Sequence, residues 1–186
     1  MSRGHLIVIS GPSGAGKGTL VKRLIQDVAN TWISVSATTR PPRQGERNGR
    51  EYFFMSREAF EKAIEQDRFL EWAEYDSNLY GTPIGSVLEH IDAGDEVILE
   101  IEVQGAAAVK KRMPECKMVF VEPPSLSILE ERLRGRGTNS EASIRARMET
   151  AKLELSRKLE YDKLLVNDDL DTAAKELADY VTGLTD

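Results

Sequence analysis

Apolar residues follow two different periods along the chain, and the change from one to the other marks the predicted elements. Residues 6–9 form a short β-branched apolar run, which is typical of a buried strand. A glycine-rich segment comes next, and apolar residues then recur at helical spacing at Leu20, Val21, Leu24, Ile25 and Val28. The pattern predicts a strand, a loop and a helix in that order.

Strands and helices continue to alternate along the rest of the chain. Strands are predicted at Ile33–Ser36, Val97–Ile101, Met118–Val121 and Lys163–Val166. Helices are predicted near residues 105–113 and 125–133, and over the terminal segment 170–184. Strands and helices alternating at these lengths indicate an α/β fold, in which a parallel sheet carries helices on both faces and binds ligands at the carboxyl ends of its strands.

A middle block departs from the α/β order. Residues 38–50 are rich in proline, glycine and charge, which predicts a long functional loop. A strand is predicted at Tyr52–Phe54, a helix capped by Ser56 follows, and residues 69–75 alternate like a further strand. The block from about residue 37 to 85 is therefore predicted to be an insertion.

Composition narrows the class of protein. The chain has 186 residues, of which 40% are hydrophobic and 30% charged, as in a globular domain with one core. Its net charge of −6 argues against a nucleic-acid binder, because such proteins carry a basic face. The single Cys116 excludes an intrachain disulfide, and no apolar run approaches the ~20 residues of a membrane span. We expect a cytoplasmic protein with no nucleic-acid or membrane partner.

A glycine-rich motif lies between the first predicted strand and the first predicted helix. Its backbone N–H groups and the positive end of the helix can converge on a polyphosphate, and a lysine adds a mobile positive charge. The alternative is a plain glycine turn. We predict an ATP phosphate loop formed by Gly11, Pro12, Ser13, Gly14, Ala15, Gly16, Lys17, Gly18 and Thr19.

The loop departs from the usual motif directly after the lysine. Ser or Thr usually stands there to hold Mg²⁺, but here Gly18 occupies the position and Thr19 comes one residue later. Either Thr19 serves the metal, directly or through water, or other groups hold it. The Gly-Lys-Gly-Thr ending resembles that of adenylate kinases, so the departure bears on the metal ligand more than on the phosphate loop.

Arginine is concentrated in the loop from Ser36 to Glu46, at Arg40 and Arg43. Two planar guanidinium groups suit bidentate capture of a phosphate. Taken alone, the loop is better interpreted as a solvated charged segment, since arginines beside prolines are common on surfaces. The other motifs of the chain reverse that interpretation.

Seven motifs run in order over about residues 5–184: Gly11-Pro-Ser-Gly-Ala-Gly-Lys17, Ser36-Ala-Thr-Thr-Arg-Pro-Pro-Arg43, Glu71-Trp-Ala73, Asn78-Leu-Tyr-Gly81, Gln104-Gly105, Arg132-Leu-Arg-Gly-Arg-Gly137 and Val166-Asn-Asp-Asp169. Through them the chain resembles the guanylate kinase family. The resemblance implies a P-loop NTPase-type fold with an inserted mixed α/β GMP-binding region and a helical lid. It also implies a kinase that moves the γ-phosphate of ATP onto GMP, with Mg²⁺ as cofactor.

The same resemblance implies how the chain is divided. One domain is expected over residues 1–186, with a core at about 1–36, 95–125 and 158–186. The GMP-binding region is expected at about 37–90 and the lid at about 126–157. The oligomeric state, monomer or homo-oligomer, is left open.

The acceptor site follows from the resemblance residue by residue. The residues expected around the GMP phosphate are Ser36, Arg40, Arg43, Tyr52 and Tyr80, with Glu46 of the same loop also counted as GMP-binding. The residues expected around the guanine are Glu71, Thr82 and Glu102. Glu100 and Glu102 are each one methylene longer than the aspartates usual in the family, and Glu100 is expected to orient Mg²⁺ through water.

Chemistry supports Glu71 independently of the resemblance. Guanine presents two adjacent donors, its N1–H and its 2-amino group, and one carboxylate accepts from both. Adenine has an acceptor at N1 and no 2-amino group. A site built on such paired bonds discriminates by roughly 10⁴-fold or more, which predicts GMP over AMP.

Five arginines surround a glycine-bearing turn at positions 132, 134, 136, 145 and 147, with Ser140 a predicted helix cap. A hinged basic lid neutralises the charge that spreads over the γ-phosphate and excludes water. The alternative is a helix decorated with salt bridges. The resemblance makes the catalytic residues Lys17, Arg43, Arg132, Arg136 and Arg147.

Three further residues have open interpretations. Arg134 and Arg145 are expected to be solvated or paired with nearby acids. Asn167 is expected either to contact the adenine of ATP or to cap a strand end.

Two rival functions fit parts of the pattern. The phosphate loop and the lid alone also fit a kinase of another nucleoside monophosphate, but Glu71 and the block from Ser36 to Arg43 favour GMP. A non-catalytic guanylate-kinase-like interaction module is the other rival. Such a module is expected to lack the phosphate-loop lysine or the lid arginines, all of which this chain has.

Overall fold

The computed structural model describes residues 3–135 and 140–184. The described strands are β1 (Leu6–Ser10), β2 (Thr31–Ile33), β3 (Ala37–Thr38), β4 (Phe53–Phe54), β5 (Phe69–Tyr75), β6 (Asn78–Pro83), β7 (Glu96–Glu100), β8 (Lys117–Glu122) and β9 (Lys163–Val166). The described α-helices are α1 (Lys17–Asp27), α2 (Arg57–Glu65), α3 (Ile84–Ala93), α4 (Val103–Arg112), α5 (Leu126–Gly135), α6 (Glu141–Ser156) and α7 (Leu170–Thr182). Among these helices, none is both long enough and apolar enough to cross a bilayer.

A five-stranded parallel sheet forms the centre of the molecule, in the order β2-β7-β1-β8-β9. All five residues of β1 are buried, which explains its continuous apolar run. One apolar cluster packs α1 and α7 against one face of the sheet, and a second packs α3 and α4 against the other. The predicted α/β fold with helices on both faces is confirmed.

A second sheet of four strands, in the order β4-β3-β6-β5, is built from residues 37–83. Helix α2 packs Phe60 into its core, where the ring stacks on Phe69 at a centroid distance of 4.3 Å. The predicted cap of α2 is confirmed, because the Ser56 hydroxyl accepts a 3.1 Å hydrogen bond from the Ala59 backbone N–H. This sheet places the predicted guanine-binding residues of β5 and β6 in one unit.

The segment Ile33–Ser36 is the one predicted strand that is wrong. β2 ends at Ile33, and the chain next forms a strand at Ala37, in the second sheet. The residues between them bond to a different sheet at each end. The Ser34 N–H donates to the carbonyl of Ile98 at 2.9 Å, whereas the Ser36 carbonyl accepts from the N–H of Phe53 at 2.9 Å.

Helices α5 and α6 form a separate small apolar cluster through Leu129, Leu133 and Ala151. The predicted cap Ser140 is confirmed, since its hydroxyl accepts from the Ser143 N–H at 3.2 Å. Residues 136–139 between the two helices lie outside the described residues, and the predicted catalytic Arg136 is one of them.

Candidate functional site

The loop between β1 and α1 depends on glycines at positions that no other residue fits. Gly11, Gly14 and Gly16 have φ values of 141°, 96° and 91°. A Cβ at Gly11 would lie 2.1 Å from the carbonyl oxygen of Val121, and one at Gly16 would lie 2.3 Å from the amide nitrogen of Asn167. Backbone conformation and close packing therefore both require glycine. Without side chains at these positions, the backbone N–H groups of the loop stay accessible to a phosphate.

Lys17 places a buried positive charge in this loop. Only 9% of the residue is exposed. Its ammonium donates to the carbonyl oxygens of Gly11 and, at 3.2 Å, Pro12. α1 begins at Lys17, and its N-cap residue is Gly16, which has no side chain to cap the helix. The positive end of the helix and the ammonium together favour an anion at this point.

Asn167, which directly follows β9, supports the phosphate loop through hydrogen bonds. Its side-chain amide donates to the carbonyl of Ala15 at 2.8 Å, and its own carbonyl accepts from the Arg132 guanidinium at 2.9 Å. The cap of α7 is Asp169, whose carboxylate accepts from the Thr172 N–H at 2.8 Å. Asn167 thus ties the phosphate loop to a predicted lid arginine.

The lid arginines divide into two groups. Arg147 on α6 reaches the loop, where its guanidinium donates to the Ser13 hydroxyl at 3.1 Å. Arg134 instead pairs with Glu130, at 2.7 Å, and with Glu141. Its pairing with acids was expected, whereas Arg132 and Arg147 are the two described lid arginines that contact the phosphate loop or its brace.

The predicted guanine site centres on Glu71, where the register of β5 shifts against β6. The Thr82 hydroxyl, which is fully buried, donates to the carboxylate of Glu71 at 2.6 Å. Burial raises the pKa of Glu71, and the hydrogen bonds from Thr82 oppose that rise. A Cβ at Gly105 would lie 3.3 Å from the second carboxylate oxygen, so a glycine of α4 leaves room beside it.

The predicted phosphate-binding loop of the acceptor is held by one ion pair. Arg40 donates to both carboxylate oxygens of Glu46, at 2.9 and 3.1 Å, and Glu46 also accepts from the backbone N–H of Arg43 at 2.7 Å. The Arg40 guanidinium lies 5.4 Å from the ring centroid of Tyr52, whose ring meets that of Tyr80 edge-on at 6.2 Å. The structure brings these four side chains together.

Two predicted members of this group lie at its margin. Arg43 is exposed, and its contact with Glu46 is made through its backbone. Ser36 is half-buried beside β3, and its carbonyl bonds to Phe53. Neither side chain hydrogen-bonds to Arg40, although the positive charge of Arg43 helps to lower the pKa of Glu46.

Glu100, at the end of β7, lies beside the phosphate loop, because a Cβ at Gly18 would be 3.6 Å from each of its carboxylate oxygens. Burial raises the pKa of Glu100 and the negative charge of Glu102 raises it further, while Lys17 lowers it. Among the described residues, no group of three His, Cys, Asp or Glu side chains could hold a metal alone. Mg²⁺ needs no such group, because one or two carboxylates together with substrate phosphates and water hold it. Glu100 and the exposed Thr19 supply oxygen atoms of the required kind.

Glu154 on α6 was missed from the sequence. Burial, the negative charge of Glu102 and a hydrogen bond to that carboxylate together raise the pKa of Glu154 to about 7, although Lys17 opposes the rise. Helix α6, part of the predicted lid, thereby brings a carboxyl group to Glu102, near the end of β7. The available signal was spacing, since Glu154 follows Arg147 by seven residues and therefore lies on the same helix face.

Comparison with known proteins places this geometry in one family. A family model described as guanylate kinase matches residues 3–184. The chain is 52% identical over 177 residues to the guanylate kinase of Rubrobacter xylanophilus, with 95% of this chain and 93% of that protein covered. It is 46% identical over 180 residues to the guanylate kinase of Prochlorococcus marinus (strain NATL2A), with 97% of each covered.

Solved structures agree with the sequence comparison. A guanylate kinase from Anaplasma phagocytophilum matches with a TM-score of 0.75 at 29% identity, over 98% of this chain and 86% of that one. A shikimate kinase from Bacteroides thetaiotaomicron, with a TM-score of 0.53 and 12% identity over 96% of this chain and 98% of that one, shares the fold alone. Both the family match and the identity to the relatives extend over nearly the whole sequence, and the chain belongs to the guanylate kinase family.

Proposed function

We propose that this protein transfers the γ-phosphate of ATP to GMP, giving ADP and GDP, in purine nucleotide metabolism. The observation that carries the proposal is the pairing of two sites in one chain: a glycine loop that holds the buried Lys17, and a half-buried carboxylate, Glu71, bonded to the buried Thr82. The first suits a polyphosphate, and the second suits the adjacent donors of guanine.

ATP binds through the phosphate loop in this proposal. The loop's N–H groups and the start of α1 face the phosphates, and the Lys17 ammonium exchanges its carbonyl partners for phosphate oxygens. Arg132 and Arg147 add positive charge from the lid, and Arg136 is assigned the same role from the sequence. These charges neutralise the transferring phosphoryl group in a site that the lid shields from water.

GMP binds against the second sheet. Glu71 accepts from the N1–H and 2-amino groups of guanine, the Thr82 hydroxyl exchanges its bond to Glu71 for a bond to O6, and Glu102 meets the 2-amino group. Ser36, Arg40, Arg43, Tyr52 and Tyr80 surround its phosphate, and Glu46 orients Arg40 for that contact. The reaction needs no general base, because the GMP phosphate is a monoester whose second pKa is about 6, and it is already ionised at neutral pH.

Mg²⁺ is the proposed cofactor, with Thr19 and Glu100 as the candidate protein groups. Bound at these groups, the metal would supply positive charge that neutralises the charge developing on the transferred phosphoryl group. We also propose that residues 37–90 form the GMP-binding region and residues 126–157 the lid of a single domain, and that the two close over the substrates. Cytoplasmic location stays a prediction.

A coupled assay of ADP formation with ATP and Mg²⁺ tests the proposal, with GMP, AMP, UMP, CMP and dTMP compared as acceptors. We expect a strong preference for GMP. Preference for another acceptor would retain the kinase and discard the role of Glu71. Inactivity with all five, in a protein with the expected circular dichroism spectrum, would instead favour a binding module.

A further inference from the structure

The side chain of Ser13 links the phosphate loop to helix α6. Its hydroxyl oxygen accepts a hydrogen bond of 3.1 Å from the guanidinium of Arg147, and both residues are partly buried. Ser13 precedes Lys17 by four residues, within the segment whose backbone N–H groups cradle phosphates in this motif. The bond therefore holds a lid arginine at the loop that is proposed to bind the phosphates of ATP.

Close packing at Gly14 fixes the distance between the phosphate loop and the lid helices. A Cβ at Gly14 would lie 3.0 Å from the side chain of Leu129 and 3.1 Å from that of Leu133, both on α5. These two leucines form an apolar cluster with Ala151 of α6. Helix α5 thus packs on the loop and α6 packs on α5, which brings Arg147 to the residue beside Gly14.

The partner of Arg147 in the loop is a neutral group. Arg134, on α5, is instead paired with the carboxylates of Glu130 and Glu141. A carboxylate offsets the charge of the guanidinium that it orients, whereas a hydroxyl orients the guanidinium and leaves its charge in place. The charge of Arg147 therefore stays available to neutralise a transferring phosphoryl group.

The hydroxyl of Ser13 can serve two partners at once. A serine oxygen accepts hydrogen bonds while its O–H donates one. The bond from Arg147 uses the accepting oxygen, so the O–H can donate to a phosphate oxygen. The guanidinium has five N–H donors, of which this bond uses one. Ser13 and Arg147 can therefore contact the same phosphoryl group without giving up their contact with each other.

We propose that Ser13 is a positioning residue, whose hydroxyl holds Arg147 at the phosphate loop before the nucleotide binds. The inference rests on the proposed function in its use of ATP as the phosphoryl donor. A preorganised donor acts where charge develops in the transition state, so the Ser13 hydroxyl acts mainly on kcat. The backbone N–H of Ser13 and the Lys17 ammonium remain in a Ser13→Ala variant, and ground-state binding of ATP is therefore retained.

A double-mutant cycle on kcat tests this role, with Ser13→Ala, Arg147→Ala and the double variant compared with wild type. We expect Ser13→Ala to lower kcat roughly 10-fold when Arg147 is present, and less than about twofold in the Arg147→Ala background, because residues that act as a unit couple. The KM values for ATP and GMP in Ser13→Ala should stay within about twofold of wild type.

Two further variants make the design specific. Ser13→Thr keeps a hydroxyl at the same position and should retain most of kcat. Ser156→Ala is the matched control, because it removes an exposed hydroxyl from the helix that carries Arg147, where that hydroxyl donates to the carbonyl of Leu153. Its kcat should stay within about twofold of wild type, as is usual for exposed positions.

Urea unfolding of the same four proteins, without nucleotide, tests the contact independently of turnover. Ser13→Ala should lower the stability when Arg147 is present and have little effect in the Arg147→Ala background. Equal losses in both backgrounds, in kcat or in stability, would overturn the positioning role, and so would a Ser13→Thr variant as slow as Ser13→Ala. The proposed phosphate transfer fails by a different result, an absence of turnover by the wild type, and the unfolding cycle is unaffected by that failure.

Discussion

The two proposed nucleotide sites hold their ligands by different means. The phosphate loop relies on backbone: three glycines in the left-handed region, a buried lysine and the bracing amide of Asn167. The acceptor site relies on side chains that pair with each other, Glu71 with Thr82 and Arg40 with Glu46. We therefore expect the phosphate loop to lose activity when its backbone geometry changes. The acceptor site should instead change its base specificity when one functional group is replaced.

Lys17→Ala should have the largest effect and tests the phosphate loop directly. Because the variant removes the one charge that the loop itself holds against its carbonyls, we expect kcat to fall by roughly 10²–10³, the range for loss of one preorganised donor. Steady-state kinetics measure it, and circular dichroism checks the fold. Lys22→Ala, on the exposed face of the same helix, is the control. Retention of most turnover by Lys17→Ala would contradict the proposed role.

Glu71→Gln tests the acceptor side. An amide presents one acceptor where guanine needs two, and hydrogen bonds to charged groups contribute about 1.5–3 kcal/mol. The KM for GMP should therefore rise roughly 10–100-fold, while that for ATP stays nearly unchanged. Glu74→Gln removes a half-exposed carboxylate from the same strand and should leave both constants alone. Equal increases for both substrates would place Glu71 outside the guanine site.

Gly16→Ala and Gly45→Ala compare the two regions at nearly equal backbone angles, φ values of 91° and 88°. At Gly45 a Cβ meets nothing within 4 Å, so only the left-handed conformation is penalised, by about 1–2 kcal/mol. At Gly16 the same penalty applies, and the added methyl group displaces Asn167, losing about 1 kcal/mol more. Urea unfolding measures both, and equal losses would show that Asn167 is not a fixed brace.

The parts of the molecule that sequence predicted are those with local signals. β9 has the bounds predicted for it, and Ser56 and Ser140 cap helices as expected. The phosphate loop follows from a contiguous motif, because its glycines and Lys17 act on one short stretch of backbone. Local sequence signals were therefore enough to predict the core fold and the ATP side of the candidate site.

The rest depends on contacts between distant residues. β3 has two residues and exists because Ala37 pairs with both Phe53 and Gly81. α3 begins at Ile84, and its N-cap residue Pro83 makes no side-chain hydrogen bond, so no polar residue marked its beginning. Glu154 was missed because its significance comes from Glu102, far away in sequence and reached through packing of the lid helix.

Glu154→Gln should have the smallest effect and probes the point where the two sites meet, since Glu154 interacts with both Lys17 and Glu102. Burial and the neighbouring Glu102 raise the Glu154 pKa from 4.5 to about 7, so the folded protein keeps a proton that the unfolded chain releases. The resulting stability is fully present below pH 4.5 and is lost as the pH rises through about 7. The variant, which cannot ionise, should therefore be more stable relative to wild type at pH 8 than at pH 5.

Urea unfolding at the two pH values measures this difference, and Glu149→Gln on the exposed side of α6 is the control. Partial exposure of Glu154 screens its interactions, which is why the expected effect is the smallest of the series. A pH-independent difference between Glu154→Gln and wild type would mean that the carboxyl is already ionised at pH 5. A full negative charge on Glu154 would then lie beside that of Glu102. The two side chains would not pair with each other, as Glu71 and Thr82 do at the acceptor site.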